Sequence, residues 1–388
     1  MRESMKKIIY LDNAATTPID PEVAEGMAPF LKGMYGNPSS IYLKGREARD
    51  AVEYARKKVA ELINAAEDEI VFTSGGTESS NFAIKGIAYA NKDKGSHIIT
   101  TEIEHDSVLE SMKFLEGQGF TVTYTKPDQT GLINPDIIRK AITKETILIS
   151  VMHANNEIGT IQSVSKIGEI AKENDVYFHT DAVQTIGHLP VDVNILNVDL
   201  LSLSGHKFHG PKGIGALYIR KGTKIIPFLN GGGQEKRLRA GTENTLGIIG
   251  LGLASFLSKK RIDKESKKIK NLRGLLLKGL LKEIKGAKLN GHQEERLANN
   301  INIQIPGIEG EALILHLDKV GICASTGSAC GSMDLEPSHV LSAIGLTRQE
   351  AHSSIRFTLG KDISTNDIRY VVKAVSAAVK DLLKYDEK

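Results

Sequence analysis

From about Glu69 onward, short runs of β-branched and other apolar residues alternate with longer stretches whose apolar positions recur every three or four residues. Runs of the first kind occupy residues 70–72, 97–101, 121–124, 147–152, 176–179, 200–203 and 214–219 and are the strand candidates. Helical patterns lie between several of them, as at 135–142 and 164–173. Crossover connections of that kind predict a mostly parallel sheet covered on both sides. The last run is the exception, because the glycine-rich turn before it is too short for a crossover, and it is expected to run antiparallel.

After about Leu257 the pattern changes. A long helix, a strand at 299–305, a helix at 309–319, a Gly/Ser-rich loop, a strand at 352–359 and a closing helix at 364–383 predict a smaller α+β domain. The expected division is a large domain over 17–258 and a small one over 1–16 and 259–388, which suits a chain of 388 residues. No repeat, low-complexity tract or linker separates them, so a tight interface is expected, and such interfaces are usual places for a site.

Composition narrows the class without changing this picture. The chain is 40% hydrophobic and 25% charged with a net charge of +3, which does not point to nucleic acid. Its densest basic stretch, 259–285, carries Ile262, Ile269, Leu272, Leu276 and Leu280 at helical spacing and reads as an amphipathic helix with a solvated face. No export signal and no membrane-crossing run is visible, so a cytoplasmic protein is expected, with Cys323 and Cys330 reduced. Without a nearby pair of histidines these two make a poor zinc site.

Candidate chemistry gathers at strand ends, where α/β sheets present their sites. His105, Asn155 and Asn156, Asp181 and Gln184, and Lys207 each follow a buried-looking run, an acid and an amine among them. Thr73-Ser-Gly-Gly-Thr-Glu-Ser79, between a strand and a helix, reads either as a phosphate seat, with Gly76 and Thr77 at a helix N-terminus, or as a capped helix after a tight turn. Small residues surround Cys330, which suits an exposed thiol, whereas Cys323 reads as buried and inert. Arg356 sits inside an apolar strand and needs an anionic partner, either a bound carboxylate or an internal acid.

Taken together, Tyr10-Leu-Asp-Asn-Ala-Ala-Thr-Thr17, Gly36-Asn-Pro-Ser39, the Thr77 loop, Glu104-His105, Ala154-Asn-Asn-Glu157, His179-Thr-Asp-Ala-Val-Gln184, Ser204-Gly-His-Lys207, Gly231-Gly-Gly-Gln234, Arg239-Ala-Gly-Thr242, the Cys330 loop and Ser353-Ser-Ile-Arg356 resemble the pyridoxal-phosphate-dependent cysteine desulfurases of the NifS/IscS type, within the class V aminotransferase group. The resemblance implies the fold type I of pyridoxal-phosphate enzymes and a conversion of L-cysteine to alanine, with sulfur captured as a Cys330 persulfide. It implies Lys207 as Schiff-base residue and proton carrier, Asp181 at the ring nitrogen, Gln184 at the ring hydroxyl, and His105 stacked on the ring and moving protons as a catalytic residue. Gly76, Thr77, Ser204 and His206 are implied at the phosphate, joined by Thr242 from the second subunit of a homodimer. Arg356 and Asn37 are implied at the substrate, and Asn156 at the substrate or the ring hydroxyl.

The setting Ser328-Ala-Cys330-Gly-Ser332 resembles the NifS/IscS branch, which implies an iron-sulfur scaffold of the IscU/NifU type as sulfur acceptor. A selenocysteine lyase on the same scaffold is the alternative. Asp106 and Ala240 depart from the commoner Lys and Ser of the pattern, at positions that carry no role here.

Overall fold

Side chains of a strand alternate between two faces, so a run with no polar phase forms where both faces are covered. The computed structural model, which describes residues 7–327 and 336–386, has this arrangement in its large sheet except at the edge strand Thr121–Thr125, which is largely half-buried. The chain enters through β1 (Ile9–Tyr10), and the large sheet follows as β2 (Ile70–Thr73), β3 (His97–Thr101), β4 (Thr121–Thr125), β5 (Thr146–Ser150), β6 (Tyr177–Asp181), β7 (Leu200–Ser204) and β8 (Gly215–Ile219). These strands form a 7-stranded sheet in the order β2-β8-β7-β6-β5-β3-β4. From β7 to β4 all neighbours are parallel, and β8 runs antiparallel to both β2 and β7, as its short turn required. Ile98, Leu148, Leu200 and Leu217 enter one core layer, while Ile99, Ile149, Leu201 and Ala216 enter the other.

Strand limits differ from expectation in ways that matter for the site. β6 continues to Asp181 and β7 to Ser204, so both residues belong to strands and inherit their rigidity. Under them, His179 bridges three strands through Ser150 Oγ (2.8 Å) and Ser202 Oγ (2.9 Å). Burial pushes this imidazole down to about 3, so it is neutral at physiological pH.

The second unit contains β9 (Lys288–Asn290), β10 (Asn300–Gln304), β11 (Ile322–Cys323) and β12 (Ser354–Thr358). β12, β10 and β9 form an antiparallel sheet, and β1 pairs parallel with β11. Leu276, Leu280, Ile301, Ile303, Leu313 and Phe357 build its core. Its last strand begins later than expected, because His352 closes the short helix Arg348–His352. Cys323 is half-buried rather than fully buried, and burial, with Asp318 and Asp12, raises its thiol pKa.

Three helical features lie outside the expected pattern. Pro21–Lys32 and Leu43–Ile63 precede the sheet, and the long helix runs from Thr245 to Glu283, starting well before residue 259. Asn244 sets that start, with Oδ1 accepting from the Gly247 amide at 3.0 Å. The helix packs Ile248, Leu251 and Ala254 into the large-sheet core and Leu272, Leu276 and Leu280 into the second core. Among the described residues no helix is long and apolar enough to cross a membrane, and no cluster of three potential metal ligands occurs.

Candidate active site

The parallel strands end along one edge, and the turns that leave them enclose a cavity of about 250 Å³. Ten of the residues singled out from sequence line it: Gly76, Thr77, His105, Asn156, Asp181, Gln184, Ser204, His206, Lys207 and Arg356. The N-terminal segment closes the opposite side through Ala14 and Ala15.

Lys207 stands in the turn after β7, and its Nζ donates to the carbonyls of Ala14 (2.6 Å) and Ala15 (3.0 Å). The Gln184 side-chain amide donates to the same Ala14 carbonyl at 3.0 Å, so one backbone oxygen aligns two functional side chains. Asp181 is 7% exposed, and its Oδ1 accepts the Val183 amide at 2.9 Å. Burial pushes its carboxyl pKa up, while nearby His105, the Val183 bond and Lys207 pull it back. His105 precedes the helix Asp106–Glu116 and caps it, its Nδ1 accepting the Ser107 amide at 3.1 Å. In the neutral ring the proton is thereby assigned to Nε2.

The other wall carries a helix N-terminus. The helix Gly76–Ala90 starts here with no side chain capping its first amides, so those donors and the positive end of the helix dipole face the site with Thr77 and Ser204. Gly76 is required by space, since a Cβ there would lie 2.8 Å from Val183 Cγ2. Burial, then the charges of Lys207 and Lys212, press the His206 imidazole down to about 4, and a bound dianion would reverse the second effect. Of the two readings of this loop, a side-chain-capped helix is not what forms, since no side chain caps this helix.

Arg356 is 1% exposed on β12. Its Nη2 donates to Asp12 Oδ1 at 2.8 Å and its Nη1 to the Asn156 carbonyl at 2.9 Å, while buried Nε has no partner among the described residues. The internal acid that the sequence left open is therefore Asp12.

Not every expected residue arrives. Asn37 is exposed and away from the cavity lining, with its Oδ1 accepting the Ser39 amide at 2.9 Å in a local turn. Thr242 is likewise exposed and outside the lining of this chain's own cavity. Cys330 lies outside the described residues. Missed from sequence were the Ala14 and Ala15 carbonyls, Ser107, and Asp12 as the partner of Arg356. The stretch 10–17 was the available signal for Asp12, Ala14 and Ala15, although backbone acceptors have no residue type to reveal them.

Comparisons with known proteins agree with this geometry. The model of the class-V aminotransferase family matches residues 9–371. A protein of Methanosarcina thermophila named cysteine desulfurase IscS is 56% identical over 376 residues, covering 97% of this chain and 93% of the relative. One of the same name from Dictyoglomus turgidum is 55% identical, covering 97% and 96%. Among solved structures, a NifS-like protein superposes with a TM-score of 0.91 at 39% identity, covering 97% of this chain and 100% of its own. SspA, solved in complex with cysteine, gives 0.81 at 38%, covering 90% and 98%. A family model that spans both cores, together with relatives more than half identical across them, places the chain in the class-V aminotransferase family, beside members named cysteine desulfurase IscS.

Proposed function

We infer that this protein is a pyridoxal 5'-phosphate-dependent cysteine desulfurase, releasing alanine from L-cysteine and passing the sulfur on to an acceptor. The observation that carries the reading is the convergence of Lys207, Asp181, His105 and Arg356 on one cavity whose far wall carries the uncapped start of the helix Gly76–Ala90. The relatives described above bear the desulfurase name, so the selenocysteine-lyase alternative is not favoured.

The donor set fits the cofactor's parts. Gly76, Thr77, Ser204 and His206 would hold the phosphate, Asp181 the protonated ring nitrogen, Gln184 the ring hydroxyl, His105 the ring, and Lys207 the aldehyde carbon. When bound, pyridoxal phosphate supplies an electron sink that makes a substrate α-proton removable and its β-substituent labile. Asp181 would pair with the protonated ring nitrogen, a cation being the natural partner of a buried carboxylate. Lys207 Nζ carries the substrate α-proton, its position fixed by the Ala14 and Ala15 carbonyls. Arg356 and Asn156 bind and orient the substrate amino acid, Arg356 at the carboxylate.

Sulfur leaves by attack of the Cys330 thiolate on the substrate sulfur. The new S–S bond forms as the C–S bond breaks, the electron pair goes to the β-carbon, and a proton completes alanine. L-cysteine and one thiol thus become alanine and one persulfide, with no external oxidant. Thr242 from a second copy of the chain completes the phosphate seat in this proposal, with Asn37 assisting at the substrate. The proposed acceptor is an iron-sulfur scaffold of the IscU/NifU type, and the proposed compartment is the cytoplasm.

The test is mass spectrometry of the holoprotein after L-cysteine is added without reductant. One extra sulfur on the peptide bearing Cys330, beside free alanine, is expected. Unmodified Cys330 beside a normal yield of alanine would overturn the mechanism. Persistence of desulfuration in Cys330→Ala would do the same. Transfer of labelled sulfur from Cys330 to an added scaffold protein checks the acceptor, and equilibrium sedimentation checks the dimer.

A further inference from the structure

Glu78 places a carboxylate beside the wall at which the cofactor's phosphate would sit. It follows Thr77 in the first turn of the helix Gly76–Ala90, and it is the acid of that turn, although it does not itself line the cavity. Its Oε2 turns back and accepts the Ser74 amide at 2.8 Å, so the charge stays next to the loop. Arg239 meets it there with two bonds, Nε donating to Oε1 at 2.9 Å and Nη2 to Oε2 at 3.2 Å. The two side chains, 9% exposed for Glu78 and 21% for Arg239, form a forked pair largely withdrawn from water. Burial alone would raise the Glu78 carboxyl, and the bonds from Arg239 and Ser74 hold it below the usual carboxylate range, so it is ionised.

Arg239 reaches Glu78 from a turn that L-residues do not adopt freely. Glu235, Lys236 and Arg237 have φ of 43°, 56° and 69°, three consecutive non-glycine residues in the left-handed region. Such a conformation persists only where its surroundings over-determine it. Here the clamp is Glu235, which is 8% exposed, accepts the Phe72 amide on Oε2 at 2.8 Å, and takes both Nη atoms of Arg56 at 2.8 Å. Phe72 lies on β2, an edge strand of the large sheet, and Ser74 follows in the loop that leads to Glu78. Two carboxylates therefore cover alternate amides of one stretch of chain, Glu235 that of Phe72 and Glu78 that of Ser74. The left-handed turn, docked by the first carboxylate, sets Arg239 on the second.

We propose that Arg239 is a positioning residue for the cofactor's phosphate, acting through Glu78: delivered by the strained turn 235–237, it neutralises the acid that stands one residue past Thr77. The proposal rests on the pyridoxal-phosphate reading above and names the side chain that lets this wall accept a dianion. Coulomb's law supplies the scale. Over about one helical turn, roughly 5 Å, and at an effective dielectric of about 20, repulsion between an unpaired carboxylate and one negative charge corresponds to roughly a hundredfold in affinity. Screening by water lowers that figure, so a loss of about tenfold or more is expected when Arg239 is removed.

The test compares two ligands that differ only in the phosphate. The full chain, stripped of cofactor with hydroxylamine, is titrated at pH 8 with pyridoxal phosphate and with pyridoxal, and the visible absorption of the linkage to Lys207 reads the binding of each. For Arg239→Met we expect the Kd of pyridoxal phosphate to rise about tenfold or more while that of pyridoxal stays within twofold. Glu78→Gln keeps an oxygen for the Ser74 amide and removes the charge, so the double variant Arg239→Met/Glu78→Gln should bind pyridoxal phosphate within about threefold of wild type. A strut that merely holds the loop would weaken both ligands alike and gain nothing from the second substitution. Equal losses on the two ligands, an unchanged Kd of pyridoxal phosphate in Arg239→Met, or a double variant no better than Arg239→Met would overturn the proposal. A wild-type chain that forms no linkage with pyridoxal phosphate would instead overturn the cofactor reading on which it rests.

Discussion

Glu104→Gln should stabilise this protein at neutral and alkaline pH while leaving it nearly unchanged in acid. Glu104 is fully buried next to His105, with Oε1 accepting the Met152 amide (2.9 Å) and the Thr101 hydroxyl (2.8 Å). Its Oε2 has no partner among the described residues. Burial, helped by the charge of Asp181, drives the carboxyl from 4.5 up to about 8, against the two hydrogen bonds that favour the anion. The folded chain therefore holds this proton over a range in which the unfolded chain has lost it. The stability tied to that proton is complete below about pH 4.5 and is lost as pH climbs through about 8. At roughly 1.4 kcal/mol per pH unit the loss is about 3 kcal/mol by pH 7 and about 5 kcal/mol by pH 8 as an upper bound. Glutamine keeps the Oε1 acceptor and places an uncharged amide where Oε2 was, so its stability has no such slope. Paired urea unfolding curves at pH 5 and pH 8 measure the difference directly. A gap between variant and wild type that stays flat, or narrows, as pH rises would refute a protonated Glu104.

Three further outcomes follow from the site and its frame. Borohydride reduction of the holoprotein should fix the cofactor to the Lys207 peptide, and Lys207→Arg, which keeps the charge but not the amine, should show no adduct by mass spectrometry. Arg356→Lys replaces a guanidinium fixed by Asp12 and the Asn156 carbonyl with a point charge, and should raise KM for L-cysteine by about tenfold or more in steady-state assays. Arg56→Met strands the buried Glu235, which now receives both Arg56 Nη atoms at 2.8 Å and the Phe72 amide at 2.8 Å. The expected cost is about 3–5 kcal/mol of stability, read from the urea midpoint, because an unpaired buried carboxylate is left behind.

Most of the large sheet was legible because its strands, the edge strand Thr121–Thr125 apart, are covered on both faces, which leaves a pattern without a polar phase. The helix Leu43–Ile63 left a weaker trace. Half of its buried residues are the small Gly45, Ala48, Ala55 and Ala60, which contrast little with a polar face, and it even carries Arg56 inward. The start of the long helix was hidden for a related reason, since Gly247, Gly250 and Gly252 lower its helical propensity while tertiary packing buries it. At the site, side-chain chemistry announced itself through strand ends, and ten expected residues meet. Backbone acceptors did not, and the pairing of Asp12 with Arg356 across most of the chain's length has no local signature.

That pairing changes what Arg356 can be asked to do. From sequence, a buried arginine needed one anion, and a substrate carboxylate was sufficient to explain it. With Asp12 at 2.8 Å the charge is already matched before substrate arrives, so carboxylate binding is not what makes the burial tolerable. The gain lies in preorganisation: two of the guanidinium's nitrogens are committed to Asp12 and to the Asn156 carbonyl, which fixes the plane of the fork and spares the ordering of a flexible side chain on binding. Because Asp12 competes for the same charge, a carboxylate held by the arginine in its proposed role would be bound with moderated strength. That is the behaviour wanted in a site that must release alanine, whose carboxylate is the same as that of the cysteine it replaces, at the end of every cycle.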